Sequence, residues 1–509
     1  MALGTSWSVA LVGLVGHPVQ VEADLAPGIP GLAITGLPDA SLNEARDRIR
    51  AAVANSGGQW PTTKRITIGL SPASLPKRGS GFDIALAAAV LAADGVVTAQ
   101  TLDGVVLLGE LGLDGSVRKV TGVLPALLSV RGQFARAIVP VANLAEAQLV
   151  PDLEVTAVRS LRDLVHLLRS EARDEVWVPP PGEAPRPDVG DFRDVAGQPD
   201  GRLACELAAA GGHNLLMTGP PGCGKTLLAE RLPSILPPLS MQESLEVTAI
   251  HSVADALPAE TLVSRAPFQA PHHTSTAPAL IGGGSGLAKP GAVSLAHRGV
   301  LFLDEAPEFQ GRVLDCLRQP LEKGEVSIQR VQGVATYPAR FALVLAANPC
   351  PCAQPTSRCS CPPERRRAYF SRISGPLLDR MDVNVSMNAI TRADVLEDGG
   401  GESSESIAAR VANAREAAAL RLEGTPWRTN GDVPPSVVLA RWPLSRAARA
   451  PLGRAMEAGT LTARGYGRVQ RMAWTLADLH GHPSPTVEDA SQALFLRLGD
   501  LALKARWVA

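Results

Sequence analysis

The hydrophobic pattern divides the chain into three stretches. Over residues 1–172, short runs suited to half-buried strands (Val9–Val15, Arg65–Leu70, Gly104–Leu108, Ala137–Val139) alternate with stretches of helical period at Leu42–Asn55 and Ile84–Ala93. A mixed α/β unit is expected there. Val178–Pro187 carries five prolines in ten residues. Proline removes a backbone donor and fixes φ, so residues 173–190 read as an extended linker and a domain boundary. From 191 to 398, buried-strand patterns alternate with helical ones, as in parallel sheets that bind ligands at the C-terminal ends of their strands. Beyond a flexible Gly/Ser stretch at 399–404, residues 399–509 read as amphipathic helices, notably Ser406–Leu422 and Ala463–Leu479. No repeat of fixed period is visible.

A length of 509 residues suits about three domains. The chain is 45% hydrophobic and 19% charged, an ordinary globular composition. No apolar run approaches the roughly 18 residues needed to span a bilayer. The apolar stretch from Trp7 has no basic segment before it, so neither a signal nor a transit peptide is expected, and the cytoplasm is the expected location. A net charge of −1 excludes nucleic-acid binding by bulk electrostatics. One local surplus, 11 Lys/Arg against 6 Asp/Glu over residues 425–509, reads either as a binding patch or as a solvated helical face.

Chemistry enters at residues 215–226. The short apolar run Leu215–Thr218 is followed by Gly219, Pro220, Pro221, Gly222, Cys223, Gly224, Lys225 and Thr226, which match GxxxxGK[ST] at every fixed position. Glycines let the backbone curl its N–H groups around phosphates at a helix N-terminus. Lys225 is expected at the β/γ-phosphates of ATP and the Thr226 hydroxyl on Mg²⁺. About 80 residues later, Val300–Leu303 leads into Asp304 and Glu305. Asp304 is expected to hold Mg²⁺ through its water shell, and Glu305 to orient and deprotonate the attacking water. A third strand, Phe341–Ala346, leads to Asn348, whose amide is placed to hold that water from the other side. Cys223 is read as incidental to the loop.

This order resembles the AAA+ ATPases, whose sites are completed by an arginine from the neighbouring subunit. Arg380 is the candidate for that role, and Arg464 for an arginine contacting the γ-phosphate of its own chain; an ordinary surface ion pair is the alternative for both. The runs Ala270–Ser275, Ala279–Gly284, Pro290–Gly291, Leu295–His297, Gly299–Glu305 and Ile373–Asp382 further resemble the magnesium-chelatase-like AAA+ proteins of the ComM/YifB type, nearly along the whole chain. That resemblance implies a homo-hexameric ring on branched or single-stranded DNA. It also implies branch migration in recombination or natural transformation, with recombination proteins as further partners. Residues 266–298 and 325–340 would then be inserts facing the pore. On the second insert Gln329 and Arg330 are candidate phosphate contacts, with a plain surface hairpin as the alternative. His272 and His273, in a polar loop, are assigned no chemistry.

Four of the seven cysteines, Cys350, Cys352, Cys359 and Cys361, crowd into residues 350–361. Two CxC pairs six residues apart can reach one tetrahedral Zn²⁺; four free thiols are the alternative. The N-terminal unit resembles a Lon-protease-type domain of the ribosomal S5 type 2-like fold, in Leu75–Ile84 and Gly109–Gly115. The peptidase dyad is absent, since Gly81 and Leu124 occupy the positions where its serine and lysine would fall. Ser80 and Lys119 lie close in register and leave an unorthodox peptidase as one rival. A chelatase-type motor remodelling a protein partner is the other. The expected fold class is α/β: an AAA+ core with a C-terminal helical lid, preceded by the Lon-like domain.

Overall fold

A computed structural model describes residues 2–77, 79–170, 189–256, 262–284, 288–330, 333–354, 359–391 and 401–499. The Pro-rich stretch expected as a linker lies outside them except for its last two residues.

The N-terminal unit is built on a seven-stranded sheet, in the order Gly31–Thr35, Lys64–Ser71, Val15–Pro27, Ala2–Val12, Val105–Leu107, Arg136–Pro140, Glu154–Val158. The first two strands of the chain pair antiparallel through their full length, and Gly13 turns between them with φ +65°. The apolar run expected as one strand at 9–15 is therefore the tip of a hairpin. Helix Asp83–Ala93 is apolar on every side and almost wholly buried, as expected of a helix enclosed by a sheet and its neighbours. Its approach to the first strand requires glycine at position 4, where a Cβ would sit 2.1 Å from the Ala89 carbonyl oxygen. The buried Asp83 at its first turn is matched by Arg48, which donates at 2.7 and 3.0 Å.

The second unit carries a five-stranded, all-parallel sheet, in the order Phe268–Gln269, Val300–Leu303, Ala342–Ala347, Leu215–Thr218, Val383–Ser386. Its central strands are continuously apolar because both faces are covered. Leu215, Met217, Val300, Phe302, Val344 and Ala346 point into a core shared with the C-terminal helices, through Val411, Leu452, Met472 and Leu476. Leu216, Leu301, Leu303, Leu343 and Leu345 point to the other face, where Phe309, Ile328, Tyr337 and Met381 cover them. Full burial of side chains of this size contributes about 1.5–3 kcal/mol each. The C-terminal helices, chiefly Ser404–Arg421, Arg446–Glu457, Ala463–His480 and Val487–Leu498, thus share a core with the sheet.

Two hairpins project from the second face. Gly282–Gly283 pairs with Lys289–Pro290, and Glu325–Arg330 pairs with Gly333–Pro338. The N-terminal unit meets the second unit where Val123 and Leu127 pack with Ala249, on the helix Met241–Ala254. The Ser252 hydroxyl adds a hydrogen bond to Glu146 across that contact. Among the described residues no helix is long and apolar enough to cross a membrane.

Candidate functional site

Parallel strands bring their C-terminal ends to one edge, and the expected phosphate site assembles there. After Thr218 the chain makes the glycine-rich turn and enters helix Lys225–Ile235. Gly222 and Gly224 adopt φ +76° and +91°, a region that side chains oppose. At Gly219 a Cβ would lie 2.6 Å from the Met387 carbonyl oxygen and 2.8 Å from the Cys223 sulfur. Cys223 is therefore the packed interior of the loop, and Lys225 also donates to its sulfur at 3.7 Å.

Lys225 is 7% exposed. A buried cation needs partners, and it donates to the carbonyls of Gly219 (2.7 Å) and Pro220 (2.9 Å) and to the Asn348 amide oxygen (3.3 Å). The adjacent strand ends join it directly. The Thr226 hydroxyl donates to Asp304 Oδ2 at 2.8 Å, and Asp304 Oδ1 accepts the Glu305 backbone N–H at 2.8 Å. Lys225, Thr226, Asp304, Glu305 and Asn348 therefore form one contiguous group. The pair of a hydroxyl and a carboxylate in contact is an all-oxygen donor set that suits Mg²⁺.

Two neighbours of this group had no expected role. His273 Nδ1 stands 3.4 Å from Glu305 Oε2, although the sequence assigned it no chemistry. Its place follows from the strand Phe268–Gln269, which runs parallel to Val300–Leu303 and ends at the same edge. Tyr369 is buried beside Asn348, and its phenol is held well above the usual tyrosine range by burial first and then by the negative charge of Glu308 and Glu305. Only tertiary placement, through helix Pro363–Phe370, reveals it.

Arg380 lies at the opposite edge. Its carbonyl accepts from Asn214, which precedes the phosphate-loop strand, whereas Gly219 follows that strand. A four-residue strand separates the two edges by roughly 13 Å at about 3.3 Å per residue. The Arg380 guanidinium donates to the Pro376 carbonyl at 2.6 Å and pairs with Glu322. Burial first, then the nearby Arg318, Arg468 and Arg464, lowers its pKa.

The expectation for Arg464 needs correction. Rather than reaching over its own phosphate loop, the side chain is 88% exposed, with Asp379 at 3.9 Å as its acidic neighbour, beside Arg380. The cause is one and two turns further along the same helix, where Arg468 (2.8 Å) and Arg471 (3.0 Å) both donate to the buried Asp382 Oδ1 and hold the helix start at the base of the sheet. His213 completes that cluster at 3.3 Å. Burial opposes the Asp382 charge, but Arg471, His213 and Arg468 outweigh it and keep the carboxyl ionised well below the usual range.

The cysteines converge as well. Cys350 and Cys352 sulfurs are 2.9 Å apart, Cys350 and Cys359 3.2 Å, Cys352 and Cys359 3.6 Å, and all four sulfurs fall within 4.8 Å of one another. Zinc–sulfur bonds of about 2.3 Å imply a tetrahedral edge of about 3.8 Å, so the group fits a structural Zn²⁺ after small adjustments. Burial, then hydrogen bonding with Cys352 and Cys359, pushes the Cys350 thiol up to about 12. The Cys350 thiol in turn draws Cys352 down to about 7. Arg366 Nε donates to the Cys361 carbonyl at 3.1 Å and braces the loop.

Of the remaining candidates, Gln329 is exposed on its hairpin, and the Arg330 side chain lies outside the described part. Ser80 and Lys119 do not meet. Ser80 bonds to Glu110, and Lys119 pairs with Asp255 at 3.2 Å.

Comparison with known proteins agrees with this geometry. Residues 191–395 match the family described as magnesium chelatase, subunit ChlI; residues 21–143 match subunit ChlI of Mg-chelatase; and residues 401–497 match the ChlI C-terminal family. An uncharacterised protein of Mycobacterium tuberculosis is 51% identical over 500 residues, covering 98% of this chain and 99% of the relative. The protein YifB of Escherichia coli is 41% identical over 422 residues, 82% of each chain. The competence protein ComM of Haemophilus influenzae is 36% identical over 506 residues, 98% of each. The chain belongs to the magnesium-chelatase-like AAA+ proteins of the ComM/YifB type.

Proposed function

We propose that the protein is a Mg²⁺-dependent ATPase that works as a homo-hexameric ring on DNA, moving strands at branched or single-stranded sites during recombination or transformation. The observation that carries the ATPase reading is the contiguous group of Lys225, Thr226, Asp304, Glu305 and Asn348 at one sheet edge. Lys225 binds and neutralises the β/γ-phosphates. Thr226 and Asp304 hold Mg²⁺, which when bound neutralises charge on the phosphates. Glu305 takes a proton from water as its oxygen bonds to the γ-phosphorus, and the bond to the bridging oxygen breaks to release ADP.

The placement of the arginines supports the ring. With Arg380 and Arg464 at the base of their own sheet, a site at the other edge obtains an arginine from a neighbouring copy, a contribution worth roughly 10³–10⁵ in rate. The competence name of the H. influenzae relative supports a DNA substrate, and the exposed Gln329 hairpin supports its contact with phosphates. Within this reading the C-terminal helices are the lid, the N-terminal unit is an inactive Lon-like docking domain, and the four cysteines hold a structural Zn²⁺.

The test is ATP turnover of the wild type and Glu305→Gln, with and without a four-way junction and a single-stranded oligonucleotide. Glu305→Gln should bind nucleotide and lose turnover by at least about 10²-fold, the usual scale of general-base catalysis. Unchanged turnover in the variant would refute the base assignment. No stimulation of the wild type by either DNA would refute the DNA reading and favour a protein partner.

A further inference from the structure

The turn between the last two long helices gathers three metal-ligating side chains that the nucleotide site does not use. His480 ends helix Ala463–His480, His482 lies two residues on, and Asp489 sits in the first turn of helix Val487–Leu498. Gly481, between the imidazoles, has φ +72° and ends the helix, and the two rings come to 5.5 Å between centroids. His480 Nδ1 stands 2.7 Å from Asp489 Oδ1, and His482 Nδ1 stands 2.9 Å from Oδ2. A ligating atom from each of the three residues therefore falls within 4.8 Å of the other two.

The carboxylate is held in place by its own helix cap. Asp489 is 1% exposed, and its Oδ2 accepts the Thr486 backbone N–H and hydroxyl, both at 2.9 Å. Burial opposes its charge, but the Thr486 bonds and the two imidazoles outweigh that and keep the carboxyl below its ordinary range. An ionised carboxylate oriented by an outer partner is the usual setting of a metal ligand. The imidazoles, by contrast, are accessible: His480 is exposed and His482 half-buried, so an ion can reach them from solvent. Pro483 and Pro485 restrict the loop that carries His482, which lowers the ordering cost of binding. Two imidazole nitrogens and one oxygen suit Zn²⁺ and its first-row neighbours, whereas Mg²⁺ and Ca²⁺ take oxygen ligands.

We propose that His480, His482 and Asp489 bind a first-row divalent ion of the Zn²⁺ class, which staples the two helices at their shared turn. The ion takes the place of the ring protons that now face the carboxylate. Zinc–nitrogen and zinc–oxygen bonds of about 2.0–2.2 Å put tetrahedral neighbours about 3.4 Å apart, so each imidazole–carboxylate pair opens by roughly 0.5–0.7 Å to admit it. Both stapled helices grip the same strand. Arg468 and Arg471 of the first hold Asp382, and the Arg497 carbonyl of the second accepts from Asn384 at 2.7 Å. Three protein ligands leave a fourth position open, so this ion exchanges with solvent more readily than one closed in by four thiolates. Purified protein then keeps the cysteine-bound ion and takes up the second on addition.

The experiment titrates Zn²⁺ into untagged, full-length protein dialysed free of loose metal, with uptake read by equilibrium dialysis and metal analysis. Wild type should take up one equivalent more than the double variant His480→Ala/His482→Ala, whether or not the cysteines are filled. Loss of an outer partner alone weakens metal binding about 10–100-fold, so loss of either imidazole should weaken it by at least about 100-fold. His480→Gln and His482→Gln keep a donor to Asp489 and separate ligation from hydrogen bonding: they should match the metal-free melting temperature of wild type and still lose the uptake. An ion that binds only the folded chain should raise the wild-type melting temperature by a few degrees and leave that of the double variant unmoved. Should the double variant fail to fold, the single His480→Gln, at an exposed position, carries the same expectation.

Equal uptake by wild type and the His480 or His482 variants overturns the site, since the ion then binds elsewhere. Displacement of the ion by excess Mg²⁺ overturns the assignment of nitrogen ligands. Uptake without any rise in melting temperature overturns the staple.

Discussion

Asp382 sits where the Val383–Ser386 strand meets the C-terminal helices, and replacing it with asparagine tests what joins the two. The residue is 3% exposed. Its Oδ1 accepts from Arg468 at 2.8 Å and from Arg471 at 3.0 Å, and its Oδ2 faces His213 at 3.3 Å. An asparagine keeps one acceptor for the two arginines but removes the charge that balances them, and it presents an N–H₂ to His213 or to the guanidinium groups. Breaking a buried ion pair by removing one partner costs about 3–5 kcal/mol; because one acceptor survives, the lower figure is the expected one. Trp427, Trp442 and Trp474 cluster in the C-terminal helices, so urea unfolding followed by tryptophan fluorescence reads this region. With a urea slope of about 3 kcal/mol/M, the midpoint should fall by roughly 1 M. A variant with the wild-type midpoint and slope would show that Asp382 is replaceable by any acceptor, and would refute the argument from charge.

Two further outcomes follow from other parts of the molecule. Purified protein should contain one zinc per chain by metal analysis, and Cys359→Ser should lower that content and the thermal stability, as loss of one of four thiolates weakens a structural site. His251 and His297 are both held below the free imidazole value of 6.5, chiefly by burial. A histidine kept neutral in the fold contributes stability above its unfolded pKa that is lost as pH falls through and below 6.5. Stability should therefore drop below about pH 6.5, and His251→Gln should flatten that slope.

The strands and the phosphate group were legible because each is a local pattern. Leu215–Met217 and Val300–Leu303 are apolar without interruption, and the residues that follow them in sequence also follow them in space. The long helices were legible for the same reason: Ser406–Leu422 and Ala463–Leu479 lie within two residues of the observed Ser404–Arg421 and Ala463–His480. Where a run concealed a turn, the pattern misled, as at Gly13, because a glycine flanked by apolar residues reads as strand until its φ is known. His273 and Tyr369 were illegible as site residues. Nothing in a polar loop or a short arginine-rich helix states which carboxylate it will face.

Arg464 shows why distance along the chain is a poor guide to the reach of a cation. A helix beginning with an exposed arginine suits contact with a phosphate in its own chain, and the sequence alone offers nothing against it. The decisive residues lie further along, at Arg468 and Arg471, whose shared acceptor Asp382 belongs to the segment that also carries Arg380. One buried carboxylate thus fixes the start of the helix and the arginine segment to each other, and both to the sheet edge away from the phosphate loop. In the proposed ring, Arg380 and Arg464 would reach a neighbour's nucleotide together, because the segments that carry them are tied to each other through Asp382. Replacing Asp382 should then weaken the ring's ATP turnover beyond what the loss of stability explains, even though that residue touches no nucleotide in any subunit.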